Sequence, residues 1–273
     1  FRRVLFRSNK YHMIKIITGY SGPGGSTIAL RNLCKEFLKR DIPCEMYGPH
    51  DWFIDSKYTK LINEVKVDKD DKLITHFIDL NQKPPLNRTI LFCHEMWWFD
   101  FTKHSKSFDH VVFLNERQRD YHTSKTEIKS HSIIPNVKEI ILCAKHEGLD
   151  KIAGIIGAIE PRKGTKESIQ RALSDGCEKV YLFGVIQDNN YFKKEIEPLL
   201  SDKVVMAGFQ SKNKIYSMVG RVYHSSNGEV ASLVKDECYT TNTKFFGNSE
   251  TDNEVSNLSN DEVIELWKQT LML

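Results

Sequence analysis

The chain has 273 residues, 40% hydrophobic and 27% charged, a composition typical of one large or two small globular domains and not of a disordered or fibrous protein. Four of its 39 basic residues lie in the first twelve positions. The other 35 are balanced by 36 acidic residues, so the formal charge of +3 gives no indication of nucleic-acid binding. No apolar run approaches the roughly 18 residues that a membrane-spanning helix needs.

Six scattered cysteines form no C-x-x-C pair and no zinc-type spacing. This pattern predicts free thiols in a reducing compartment, which makes the cytoplasm the expected location. Residues 1–12 precede Met13 and lack both the apolar core and the cleavage site of a signal peptide. We expect them to be a disordered leader or an artefact.

The first half of the chain alternates strand and helix patterns. A β-rich run at 13–20 leads through a glycine-rich loop into residues 27–40, where apolar residues recur at helical spacing. Further strands are predicted at 42–48, 73–78, 88–95, 110–115 and 131–137. Strand and helix in repetition indicate a parallel sheet covered by helices, and we expect a Rossmann-like domain over residues 13–140.

The pattern restarts in the second half. Strands are predicted at 151–159, 179–185, 203–209 and 221–226, with a helix at 165–176. We expect a second Rossmann-like domain over residues 141–260 and an amphipathic helix over 261–273 that docks on the body. The predicted fold class is α/β, with two Rossmann-like domains that face each other across a cleft.

Two glutamates, Glu229 and Glu237, follow the strand predicted at 221–226. On one helix their side chains would lie roughly 80° apart and about 2.2 turns from each other. A helix start offers unpaired N–H groups and a positive dipole end, which suit a diphosphate. Any amphipathic helix can carry two glutamates, so this spacing alone leaves the function open.

Several segments of the second half resemble, in the correct order, the donor domain of family-4-type retaining glycosyltransferases (glycosyl transferases group 1), which have the GT-B fold. These segments are AGIIGAIEPRKGTKESIQRAL, KVYLFG, VVMAGF and SSNGEVASLVKDE. The resemblance covers residues 130–250 well and the first half loosely. It implies a hexosyl- or pentosyltransferase with a nucleotide-diphosphate sugar as co-substrate and no other cofactor.

The resemblance also implies roles for individual residues of the donor site. Lys163, helped by Arg162, would neutralise the donor diphosphate and stabilise the leaving nucleotide. Glu229 would contact the donor sugar, and Glu237 would accept hydrogen bonds from the ribose hydroxyls.

The segment after Glu229 and the strand end at 203–209 complete the expected donor site. The backbone at Ser232 and Leu233 would meet the phosphates, and Phe209 would lie beside the nucleobase unless it is simply a core residue. The chain departs from the family in two places. Ala158 stands where the family has an arginine, and Ala231 with Ser232 replaces Phe-Gly.

In the first half, Gly24 and Gly25 belong to a loop that has neither the lysine of a P-loop nor G-x-G-x-x-G spacing. The loop is either a tight turn or a place where backbone N–H groups approach a ligand, and the resemblance implies that it faces the donor phosphates or the acceptor. His94 ends a predicted strand. The resemblance implies that it lies near the reacting sugar, although a structural histidine fits equally well.

Two further patterns in the first half are ambiguous. Trp97, Trp98 and Phe99 form either a stacking platform or part of the core. Asp68 and Asp70 match a D-x-D metal motif, but they lie in a charged stretch that is typical of a solvated loop. We therefore expect no metal site.

The prediction from the sequence is a metal-independent, retaining glycosyltransferase whose acceptor is an unidentified glycan, lipid-linked, protein or nucleic-acid group. A dinucleotide oxidoreductase would need a glycine fingerprint followed by an acidic residue, which neither half supplies. A non-catalytic nucleotide-sugar or glycan binding protein on the same body stays open, as does a DNA-modifying glycosyltransferase.

Overall fold

The computed structural model describes residues 13–20, 24–49, 59–78, 85–96, 101–144, 147–248 and 256–273. These residues form two compact units, one with the chain up to Val137 together with Leu258–Leu273, the other with Lys138–Asn257. Each unit contains a parallel sheet and helices, so the α/β prediction with two Rossmann-like domains is confirmed. In these ranges, no helix is long and apolar enough to cross a membrane.

The first unit contains a seven-stranded parallel sheet in the order β3-β2-β1-β4-β5-β6-β7. Its strands are β1 (Ile14–Thr18), β2 (Cys44–Gly48), β3 (Thr59–Leu61), β4 (Lys72–His76), β5 (Arg88–Phe92), β6 (His110–Phe113) and β7 (His131–Ile133). Its helices are α1 (Gly25–Leu38), α2 (Phe101–Ser105), α3 (Glu116–Thr123) and α8 (Asn260–Leu271). Every residue of β1 and β4 is buried, as expected for central strands of a parallel sheet.

The last helix of the chain, α8, packs within the first unit. Ser259 caps its N-terminus in a reciprocal pair of hydrogen bonds with Glu262. The fully buried Trp267 lies edge-on to Phe37 of α1 and Phe92 of β5, with ring centroids 6.4 Å and 4.9 Å away. Apolar residues at helical spacing thus attach α8 to the first unit.

The second unit contains a five-stranded parallel sheet in the order β10-β9-β8-β11-β12. Its strands are β8 (Ile152–Ile156), β9 (Lys179–Phe183), β10 (Val204–Met206), β11 (Arg221–His224) and β12 (Lys244–Gly247). Its helices are α4 (Thr165–Ser174), α5 (Asn189–Tyr191, continued by a π turn at Phe192–Ile196), α6 (Lys212–Met218) and α7 (Leu233–Thr240). Buried clusters cover both faces, one with Ile169 of α4 and one with Tyr216 of α6.

Both sheets reverse their strand order at one place, between β1 and β4 in the first unit and between β8 and β11 in the second. Outside the carboxyl ends of the strands, such a reversal leaves a crevice in which α/β proteins bind ligands. The residues that follow these four strands are therefore the first candidates for a functional site.

The structure differs from the sequence prediction at short and edge elements. The strands β3 and β12 were not predicted, and β7 ends at Ile133 and not at residue 137. The helix expected from Glu229 begins only at Leu233.

Candidate functional site

Two loops come together at the carboxyl ends of β8 and β11, which are neighbouring strands. After β8, a single 3-10 turn ends at Lys163, and Gly164 follows in the left-handed conformation, with φ of 57°. A Cβ atom at Gly164 would lie 2.3 Å from the carbonyl oxygen of Ser225, so only glycine allows this close approach. The backbone N–H of Asn227 donates to the Arg162 carbonyl at 2.9 Å and ties the loops together.

The side chains of Lys163 and Glu229 form an ion pair across these two loops. Lys163 Nζ lies 2.5 Å from Glu229 Oε1, and the Ser226 hydroxyl donates to the same oxygen at 2.8 Å. His224 Nε2, at the end of β11, is 3.7 Å away from it. Burial acts to raise the pKa of Glu229, but His224 and the Lys163 ammonium outweigh it and hold the pKa well below its ordinary range. Glu229 is therefore a carboxylate at neutral pH.

The position of Glu229 corrects one sequence prediction. Glu229 precedes α7, because the Ser232 hydroxyl caps the helix by accepting from the Lys235 N–H, and Leu233 is the first helical residue. Gly228, with φ of 77°, turns the chain before it. The angle of about 80° between two glutamates on one helix therefore does not apply.

Glu237 lies within α7 and is 7% exposed. Its Oε2 accepts from the Tyr216 hydroxyl at 2.7 Å, and its Oε1 lies 2.6 Å from Lys212 Nζ. Lys212 also pairs with Glu139 at 2.6 Å. Both carboxylate oxygens thus already have one partner within the second unit.

Arg162 and Phe209 lie at the surface. The Arg162 guanidinium pairs with Glu160 at 2.9 Å and is about half exposed. Phe209 follows Gly208 after β10 and is 82% exposed, so it is not a core residue. An aromatic ring this exposed is available for stacking.

In the first unit, Gly24 immediately precedes α1, and Gly25 is its first residue. The carbonyl of Gly24 accepts from the Thr27 hydroxyl at 2.7 Å. A Cβ atom at Gly24 would lie 2.9 Å from the ring of Tyr20, so this glycine fits a crowded turn. The middle of the loop, residues 21–23, lies outside the described residues.

His94 follows β5 in a mainly aromatic environment. Its ring centroid lies 4.2 Å from Phe92 and 5.2 Å from His76. Burial, and then the nearby His76, lower the pKa of His94 to about 3, so the ring is neutral at physiological pH. Its Nε2 atom is buried and has no hydrogen-bond partner among the described residues.

A polar network that was not predicted from the sequence lies beside His94. His76, at the end of β4, is fully buried, with its Nδ1 2.9 Å from the Thr18 hydroxyl and its Nε2 2.7 Å from Glu95 Oε1. Glu95 Oε2 accepts the backbone N–H of His94 at 3.2 Å. Each of the three network residues is polar and follows or ends a buried strand, which is the signal that could have found them.

The remaining candidates from the sequence are the aromatic cluster and the D-x-D pattern of the first half. Trp97, Trp98 and Phe99 lie outside the described residues. Asp68 and Asp70 lie in the turn before β4, where Asp70 accepts from the Asn87 side chain at 3.4 Å. In the described ranges, no group of three or more histidine, cysteine, aspartate or glutamate residues could hold a metal ion.

Solved structures of glycosyltransferases share this architecture. The match with TarM covers 96% of this chain and 91% of the TarM chain, with a TM-score of 0.68 and 12% identity. A glycosyltransferase from Rickettsia africae covers 97% and 89%, with a TM-score of 0.67 and 11% identity. WaaG, a glycosyltransferase involved in lipopolysaccharide biosynthesis, covers 96% and 91%, with a TM-score of 0.63 and 11% identity. The fold is GT-B.

At this level of identity, the likeness establishes the GT-B fold alone. A variant of TarM from S. aureus, with a TM-score of 0.67, was crystallised with UDP, α-GlcNAc-glycerol and fondaparinux. No protein-family model matches this GT-B chain, and neither does any curated protein sequence.

Proposed function

We propose that this protein is a glycosyltransferase that moves a sugar from a nucleotide-diphosphate donor to an acceptor hydroxyl, with retention and without a metal ion. The observation that carries the proposal is the Lys163–Glu229 pair at the strand reversal of the second sheet, on a GT-B fold. The pair places a cation and a carboxylate where α/β proteins bind nucleotides.

Lys163 is suited to the donor diphosphate. As the bond between the anomeric carbon and the phosphate oxygen breaks, its electron pair stays on the phosphate, whose negative charge must be stabilised. An ammonium group has three N–H donors, and the contact with Glu229 needs only one of them. The backbone N–H groups at the start of α7 are a second place for phosphate oxygens, which is why the site needs no metal.

The carboxylates are suited to hydroxyl groups of the donor. Glu229 is ionised and accepts hydrogen bonds, which fits contact with the sugar. Glu237 has one protein partner on each oxygen, and a carboxylate has about four acceptor positions, so ribose hydroxyls can still donate to it. The exposed Phe209 offers a face on which the nucleobase can stack.

The first test is a thermal-shift panel of UDP-, GDP- and ADP-linked sugars, with EDTA in one series and Mg²⁺ or Mn²⁺ in another. A ligand that binds only the native state raises the melting temperature. We expect stabilisation by one nucleotide class in EDTA, and UDP is tried first because a TarM variant binds it. If no nucleotide stabilises the protein, or if stabilisation appears only after metal is added, the proposed metal-independent donor site is wrong.

A non-catalytic binding protein is the second candidate. It is favoured by Ala158 and Ala231, which stand where the family that this chain resembles has other residues. It predicts stabilisation by a nucleotide sugar without release of the nucleotide. Measuring free nucleotide after long incubation separates the two candidates.

A further inference from the structure

The strand reversal of the first sheet holds a hydrogen-bonded chain of side chains. Thr18 ends β1 and His76 ends β4, and these strands are neighbours on either side of the reversal. Glu95 follows β5, the next strand along. The network therefore lies where ligands bind in open α/β sheets.

The network holds the His76 ring through both of its nitrogen atoms. Burial raises the pKa of Glu95, but the hydrogen bond with His76 and the nearby histidines outweigh it, so Glu95 is ionised and only accepts. His76 Nε2 then donates to Glu95, and Nδ1 lies within hydrogen-bond distance of the Thr18 hydroxyl. The Thr18 oxygen accepts in turn from the Tyr20 N–H at 3.1 Å, which completes a consistent set of donors and acceptors.

This network holds His94 at two points. Glu95 Oε2 accepts the backbone N–H of His94, and the His76 ring lies edge-on to the His94 ring at 82°. Phe92, itself packed against Trp267, contacts the His94 ring with its centroid 4.2 Å away. The orientation of the His94 ring is thus set by its neighbours, and its buried Nε2 has no partner in the described part of the chain. A buried polar atom that the described residues leave without a partner is a candidate to bind a ligand.

We propose that Glu95 and His76 are positioning residues that hold His94 in one orientation, so that its Nε2 meets a hydroxyl group of the sugar substrate. A hydroxyl group can donate or accept and therefore suits either tautomer of a neutral imidazole. The inference rests on the proposed glycosyl transfer, and it adds two residues whose role is to orient and not to touch the substrate.

The test compares Glu95→Gln and Thr18→Val with wild type, using UDP-glucose and UDP-N-acetylglucosamine as probes. Glutamine replaces one of the two carboxylate oxygens with an NH₂ group, so it cannot accept from His76 and from the His94 N–H on separate oxygens as Glu95 does, whereas valine removes the Thr18 hydroxyl that lies 2.9 Å from His76 Nδ1. We expect turnover to fall roughly 10- to 100-fold in Glu95→Gln and less in Thr18→Val, because a misplaced His94 ring slows the reaction. Affinity for UDP should stay unchanged, because both substitutions leave the Lys163–Glu229 pair in place.

Two further measurements separate positioning from structural support. The ¹⁵N signals of His76 should show a proton on Nε2 in wild type, and this signature should persist in Thr18→Val and weaken in Glu95→Gln, which removes the carboxylate that accepts from Nε2. Glu36→Gln is the control, since Glu36 is a buried carboxylate of the same unit, paired with Arg40 at 2.6 Å on α1. It should lower stability and leave turnover intact.

Wild-type turnover in Glu95→Gln, or loss of UDP affinity together with turnover, would overturn the positioning role. If no nucleotide sugar stabilises or reacts with the wild-type protein, the proposed function is wrong, and this inference is wrong as well. The two failures are distinct, because only the second appears in wild type.

Discussion

Replacing Lys163 and replacing Glu229 should cause different defects, although the two residues form one ion pair. Their contact is 2.5 Å, and both side chains are about one-fifth exposed or less. Lys163→Ala removes a charge-assisted contact with the diphosphate, worth about 1.5–3 kcal/mol, so UDP should bind roughly 10- to 150-fold more weakly. Glu229→Gln frees the ammonium from its carboxylate. UDP should then bind as in wild type or up to about tenfold tighter, whereas turnover collapses.

Glu229→Gln should also cost stability, because it leaves a partly buried ammonium without a full counter-charge. We expect a loss of about 1.5–3 kcal/mol, or roughly 3–12 °C in melting temperature for a chain of this size. Calorimetry with UDP and an assay of donor hydrolysis separate binding from turnover. The control is Glu178→Gln, which breaks the 2.6 Å contact with Lys151 at the amino edge of the same sheet. If both site variants bind and react like wild type, the pair is not part of a donor site.

Three further predictions follow from the packing and charges. Gly164→Ala should destabilise by at least about 2 kcal/mol in urea unfolding, since Ser225 blocks its Cβ, whereas Gly176→Ala, with φ of 76° and open space, should cost only about 1 kcal/mol. Trp267→Ala should cost about 3–5 kcal/mol in the same measurement, because this fully buried side chain attaches α8 to the first unit. Burial raises the pKa of Glu45, but bonds from two lysines and a tyrosine lower it from 4.5 to about 2. Its stabilisation should therefore be present at pH 7 and lost as the pH falls to 2. Glu45→Gln should cost about 1 kcal/mol at pH 7 and only a small fraction of that at pH 2, where the carboxyl group of folded Glu45 is about half protonated.

The central strands were predictable because burial on both faces gives mostly apolar runs, as in IAGII of β8 and in IKIIT of β1, where only Lys15 and Thr18 are polar. The strands β3 and β12 lie at sheet edges, and β3 has only three residues. A run this short carries too little periodicity to be distinguished from a loop.

The candidate site was predictable only in part. Lys163 and Glu229 were found through the order of the resembling segments, but their direct pairing depends on the approach of two loops at Gly164. The sequence prediction placed Glu229 on the helix, but α7 begins at Leu233. The Ser232 hydroxyl caps the helix, and this cap lies three residues after Glu229. The contact between Thr18 and His76 was beyond prediction, since 58 residues separate them and only the strand order makes them neighbours.

The most direct test of the proposed function is ¹H NMR of UDP-linked sugars incubated with the protein in EDTA. The proposed mechanism predicts release of UDP and a first sugar product with the anomeric configuration of the donor, in wild type and not in Lys163→Ala. A first product of inverted configuration would contradict retention. No release of nucleotide from UDP-linked sugars or from the GDP- and ADP-linked sugars of the same panel, or release only after Mg²⁺ or Mn²⁺ is added, would contradict a metal-independent glycosyltransferase.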